Sequence, residues 1–195
     1  MHRSVGLLAV VTGILVPRPG VAQPASREPR WRVGIEMIRS QAWDLEIRTG
    51  SFLNRAARYD AGWSAGLKVG FDPIRELTAF AAYEWNGGGF GDSSGWSLWD
   101  LGVEVRPIRF RTVVPRIIAS VGNASESGGV IFGIATVGAG IDVPLGRHFA
   151  AGAAARFLVP FSPRARDQPA VGGVRPTATV NAEMLRLHLG VTVRP

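Results

Sequence analysis

The chain has 195 residues, with 25 glycines, 13 prolines, no cysteine and a formal charge of +7. That is long enough for one domain with a core, too rich in turn formers for a helical bundle, and without thiols for a disulfide framework or thiolate metal site. The basic residues are almost all arginine, with Lys68 the only lysine, and they fall singly, so charge alone marks no patch for nucleic acid or lipid.

Residues 1–22 have the build of a secretory signal peptide. His2 and Arg3 precede an apolar run from Val5 to Val16, and Gly20-Val21-Ala22 is a small-residue cleavage site. The run is well short of a spanning helix. Residues 23–29 read as a flexible lead-in, and 30–195 as one domain.

From Arg30 onward the apolar residues recur at every second position, which is the pleat of a strand. Arg30 to Ile38 sets Trp31, Val33, Ile35 and Met37 against Arg32, Gly34 and Glu36. Ala61 to Phe71 sets Trp63, Leu67 and Val69 against Ser64, Gly66 and Lys68. Leu77 to Trp85 is a weaker alternation, because Phe80 shares a face with Thr78, Ala82 and Glu84. Leu98 to Pro107 opposes Trp99, Leu101 and Val103 to Asp100, Glu104 and Arg106.

The second half repeats the scheme. Val113 to Val121 opposes Ile117, Ala119 and Val121 to Arg116 and Ser120. Ile131 to Val143 opposes Ala135, Val137 and Ile141 to Thr136, Gly138 and Asp142. Phe149 to Val159 opposes Ala151, Ala153 and Phe157 to Gly152, Ala154 and Arg156. Leu185 to Arg194 opposes Leu187, Leu189 and Val191 to Arg186, His188 and Gly190. Eight strands are predicted.

Their connections alternate in length. Residues 39–60, 86–96, 122–130 and 160–182 are long and rich in Gly, Ser, Asn and Arg, whereas 72–76, 108–111 and 144–148 are short. A soluble sandwich has no reason to sort its connections so, but a membrane barrel with short periplasmic turns and long external loops does. Strands of this size match the roughly 9 to 11 residues of a tilted membrane crossing. The predicted fold is an all-β, eight-stranded antiparallel up-and-down transmembrane β-barrel filling 30–195, with 23–29 as its periplasmic lead-in.

Aromatics fit two interfacial girdles. Trp63, Tyr83, Trp85 and Trp99 stand toward the long connections, and Trp31, Phe71 and Phe149 beside the short ones. With the apolar parity in lipid, the other parity fills a narrow interior. It carries Glu36, Glu84, Asp100, Glu104 and Asp142 with Arg32, Lys68, Arg106, Arg116, Arg156 and Arg186, and also His188. Charges buried together in both signs predict a structural salt-bridge network and no wide channel.

This pattern resembles the small eight-stranded outer-membrane barrels, OmpX-like and OmpA-transmembrane-like, over residues 30 to 194. It rests chiefly on the hairpin GAGIDVPLGRHFAAGAAARF and the closing strand LRLHLGVTVRP. The resemblance implies the outer membrane of a Gram-negative-type bacterium and a non-enzymatic structural or surface-interaction role. The implied partners are outer-membrane lipid and lipopolysaccharide, the insertion machinery during assembly, and an unidentified surface ligand at loops 39–60 and 160–182. Members of this family often end in an aromatic residue, whereas this chain ends Val193-Arg194-Pro195.

Two alternatives stand beside this reading. A lipid A-modifying barrel enzyme needs a serine oriented by a histidine; His188 is the only strand histidine, and Ser64 and Ser120 share its parity. A soluble lipocalin-like barrel would turn the apolar parity inward around a ligand. No metal site is expected, because His148 and His188 lack ligand partners at metal-binding spacing. No cofactor and no nucleic-acid partner are expected either.

Overall fold

The computed structural model describes residues 30–49, 52–59, 61–86, 95–110, 112–126, 130–165, 177–181 and 184–194. The expected signal peptide, 1–22, and lead-in, 23–29, lie outside the described residues. The strands are β1 (Arg30–Ser40), β2 (Trp43–Thr49), β3 (Phe52–Tyr59), β4 (Gly62–Ile74), β5 (Leu77–Asn86), β6 (Trp96–Val105), β7 (Val114–Glu126), β8 (Val130–Pro144), β9 (Phe149–Ala165), β10 (Thr177–Asn181) and β11 (Met184–Val193).

Eight of them close one barrel in the order β1-β11-β9-β8-β7-β6-β5-β4. Every pairing is antiparallel, and these strands correspond to the eight predicted stretches, except that β7 runs on through 122–126, read from sequence as part of a long connection. Follow the ladder partners from Ser40 through Arg186, Arg156, Gly138, Ile118, Glu104 and Thr78 to the bulge at Asp72. The path returns to Arg30, ten positions down the starting strand. Such a stagger tilts the strands and lets eight of them close around a side-chain-filled interior.

The side chains sort as the period of two requires. Ile35, Leu101, Val121, Val137 and Leu189 are all more than half exposed on the outer wall, whereas Glu104, Arg106, Arg186 and Glu84 are buried inside. Trp63, Tyr83, Trp85 and Trp99 point outward toward one end, and Trp31 and Phe149 toward the other. Trp31 also meets Phe71, their rings 5.0 Å apart. A soluble lipocalin-like barrel is overturned by this orientation, since its apolar face would be the buried one.

Pro115 is the second residue of β7, so the lost backbone donor falls at a strand start, where it is tolerated. Between β8 and β9, Gly146 takes a φ of 150°, which L side chains rarely adopt.

The connections 39–60 and 160–182, read from sequence as loops, need correction. They contain β2, β3 and β10, which pair as a second sheet in the order β10-β2-β3. Thr177–Asn181 pairs with Asp44–Arg48 across some 130 residues of chain. Trp43, Leu45 and Ile47 do alternate, but a partner that far away leaves no local signal. The hairpin of β8 and β9 likewise outruns its predicted end, continuing past Val159 through Pro160 and Pro163.

Candidate functional site: the barrel interior

The interior falls into layers. Nearest the short turns, Asp72 is the hub. It binds Arg32 and accepts the Thr78 hydroxyl proton, and Arg106 Nη1 donates to Thr78 Oγ1 at 2.6 Å. Arg106 also reaches Glu104 at 3.0 Å. Arg116 joins Glu104 at 3.0 Å to Asp142 at 3.4 Å. These residues come from β4, β5, β6, β7 and β8, with Arg32 from β1 and Arg106 just past β6. The network therefore ties most of the wall together.

One step further in, Lys68 Nζ lies 2.8 Å from Glu104 Oε1 and 2.9 Å from Glu36 Oε1. Glu36 also receives Arg156 at 3.4 Å and contacts His188 Nδ1 at 2.9 Å. Phe80 crosses this layer, packed with Ile118 and Ala154. Lys68 Nζ and Arg156 Cζ each sit 5.7 Å from its ring centroid. Each cation thus meets carboxylate on one side and a π-face on the other, a favourable use of a buried ring. Gly102 makes the crossing feasible, because a Cβ there would stand 2.7 Å from Phe80 Cζ and 2.4 Å from Ala119 O.

Above Phe80 the ion pairs thin out. Arg186 binds Glu84, which also accepts from Ser64, and Arg186 stacks 5.6 Å over Trp96. Asp100 departs from the expected network: it accepts from Ser120 at 2.6 Å and has no ion-pair partner among the described residues. Toward the long connections the interior becomes apolar. Trp96, Leu98, Ala124, Phe132, Ile134, Leu158 and Met184 are all buried there.

Of the twelve charged and histidine residues predicted inside, all are buried. Nine join one connected cluster: Arg32, Glu36, Lys68, Glu104, Arg106, Arg116, Asp142, Arg156 and His188. Glu84 and Arg186 form a separate pair, and Asp100 stands alone with Ser120. Asp72 escaped the sequence reading, although it continues the parity of Lys68 and Gly70, because it falls in the stretch read as a turn.

The space left over is small. Two interior cavities hold about 10 Å³ each, one beside Arg106 and Asp142 and the other beside His188 and Asp100. Each is about the size of one water. The ingredients of an activated nucleophile stay apart, since Ser64 bonds to Glu84, Ser120 to Asp100 and His188 to Glu36.

No family model matches the chain, and neither does any curated protein. Solved structures do resemble it. Neisserial surface protein A has a TM-score of 0.53 at 14% identity, covering 86% of this chain and 98% of that one. OprG from Pseudomonas aeruginosa gives 0.53 at 13%, covering 86% and 95%. The outer membrane protein AlkL, determined in lipid bilayers, gives 0.54 at 11%, covering 93% and 97%. At such identities the likeness is one of fold: the chain has the closed eight-stranded architecture of small outer-membrane barrels.

Proposed function

We propose that the protein is a non-enzymatic outer-membrane barrel with a structural or surface-interaction role and no wide pore. One observation carries this reading: among the described residues the closed barrel is apolar outside and ionic through much of its interior, where two cavities hold about 10 Å³ each. A wall of exposed leucine, valine and tryptophan is unfavourable in water and favourable in lipid. The exported chain would span the outer membrane of a Gram-negative-type bacterium, placed there by the barrel insertion machinery, with its short turns in the periplasm.

Lipid and lipopolysaccharide are then its surroundings. On the outer wall Ala139, Ala153 and Ala155 leave a shallow hollow of about 450 Å³ between Leu187, Leu189 and Ile141. Arg39 tops that hollow, 5.5 Å over the Trp63 ring, where the phosphate of an outer-leaflet lipid would lie. The sheet of β10, β2 and β3 extends the barrel on the same side. An unidentified surface ligand would be met at 39–60 and 160–182. Envelope fractionation followed by gel mobility with and without boiling tests the reading. A closed barrel stays folded in unheated detergent and shifts on boiling; recovery in the soluble fraction with no shift refutes it.

A further inference from the structure

The short-turn end carries more cations than its acids can neutralise. Asp72 is committed to Arg32 and Thr78, and Asp142 lies closest to Arg116, while both carboxylates also reach Arg106 and act on Arg194 only from beyond ion-pair distance. Arg109 and Arg194, a layer further out, form no ion pair among the described residues, and the Nε of each is buried without a hydrogen-bond partner. The Arg109 side chain and the Arg194 main chain are each anchored by hydrogen bonds. Arg109 donates to the Arg75 carbonyl, and the adjoining Arg106 N–H donates to the Glu76 carbonyl at 2.7 Å. Arg194 N–H donates to the His148 carbonyl at 2.7 Å, while His148 Nδ1 lies 2.8 Å from the Arg194 carbonyl.

Burial first, and then the positive charges of Arg75, Arg106, Arg194 and Arg32, push the Arg109 guanidinium down to about 10. An anion between these side chains would relieve that repulsion. Guanidinium forks match phosphate oxygens in pairs, which makes arginine well suited to a phosphoryl group. The surroundings are amphipathic. Ile74, Ile108, Phe110 and Leu145 stand around the mouth, each more than half exposed.

We propose that the mouth lined by Arg109 and Arg194 binds a phosphoryl anion, and that its occupant is the headgroup of an anionic phospholipid. The choice of a lipid over a soluble phosphate rests on the membrane reading above, which faces this end to the inner leaflet, and on the apolar collar that acyl chains would cover. The full chain, folded into nanodiscs of phosphatidylcholine with a minority of phosphatidylglycerol, is released into detergent. Retained lipid is then counted by native mass spectrometry. Phosphatidylglycerol should be retained above its share, and R109Q and R194Q should each weaken that retention about fivefold. R48Q, in the distant β2, should leave it unchanged.

Inorganic pyrophosphate, added to the wild type, should displace the lipid, an arm that needs no substitution. Pyrophosphate binding sensitive to R109Q, without phosphatidylglycerol enrichment, keeps the phosphoryl site and makes its source soluble. Retention equal in wild type and both variants, or neither probe bound, overturns the proposal. Pyrophosphate titration in detergent tests the mouth even if the chain fails to enter nanodiscs, a failure that would strike the membrane reading alone.

Discussion

Lys68, the only lysine of the chain, places its ammonium 2.8 Å from Glu104 Oε1 at the centre of the barrel. The same nitrogen reaches Glu36 at 2.9 Å, so one compact cation joins carboxylates from β1 and β6. A compact ammonium with three donors suits a place between two acids and a ring. Removing it takes away the cation that Glu36 and Glu104 share.

Lys68→Met should therefore cost about 3 to 5 kcal/mol of barrel stability, the range for breaking a buried pair. Glu104→Ala should fall in the same range, because Lys68, Arg106 and Arg116 all converge on that carboxylate. The double variant Lys68→Met with Glu36→Gln should lose less than the two single changes added together, since the residues are in contact. Urea unfolding in lipid vesicles measures all of these. Additive losses would mean that the contact is energetically idle.

The outer wall gives the opposite test. Val137 and Leu189 are each 51% exposed, near the middle of their strands. Arginine at either should cost about 2 to 4 kcal/mol if that wall faces the bilayer midplane. Spin labels at Leu101, Val137, Ala153 and Leu189 should be quenched by a lipid-soluble agent, and labels at Asp100, Glu104, Gly138 and Arg186 should not. Equal quenching on both parities would remove the membrane reading.

Conduction should be absent. Ions would have to pass the apolar layer of Trp96, Phe132 and Leu158, then Phe80, then the Lys68–Glu104 contact. In planar bilayers the wild type should show no discrete current steps. Replacing Trp96 and Phe132 by alanine should not create them, because the charged layers below still fill the bore. Stable steps in the wild type would contradict the closed interior.

The legible part of this protein is its parity. Alternation from Trp31 to Met37 and from Trp99 to Val105 is local, and lipid on one face with a crowded bore on the other enforces it at every strand. Side-chain parity therefore survived translation into three dimensions, including the inward Phe80 that spoiled the pattern of β5. What runs along the barrel axis was harder to read. Ile118, Ile134 and Leu158 share the inner parity with Arg116, Thr136 and Arg156, and only the tilt and stagger decide which of them stack into one layer. Asp100 looked like a network member because parity says inside but does not name a partner. The sheet of β10, β2 and β3 depends on pairing between distant segments, which periodicity does not encode.

His188 is the residue on which a catalytic reading would turn. Its Nδ1 is engaged by Glu36 at 2.9 Å, and the inner-face serines are bonded elsewhere. An attacking hydroxyl would need His188 Nε2 within hydrogen-bond reach, and that atom has no partner among the described residues. His188→Ala should cost about 1.5 to 3 kcal/mol, the worth of one hydrogen bond to a charged group. Glu36 keeps Lys68 and Arg156, which limits the loss. Lipid A from cells expressing wild type, His188→Ala or no protein should give the same mass spectrum. Acyl chains that change with the wild type and revert with the variant would make the interior an active site, with Glu36 as the acid orienting the imidazole.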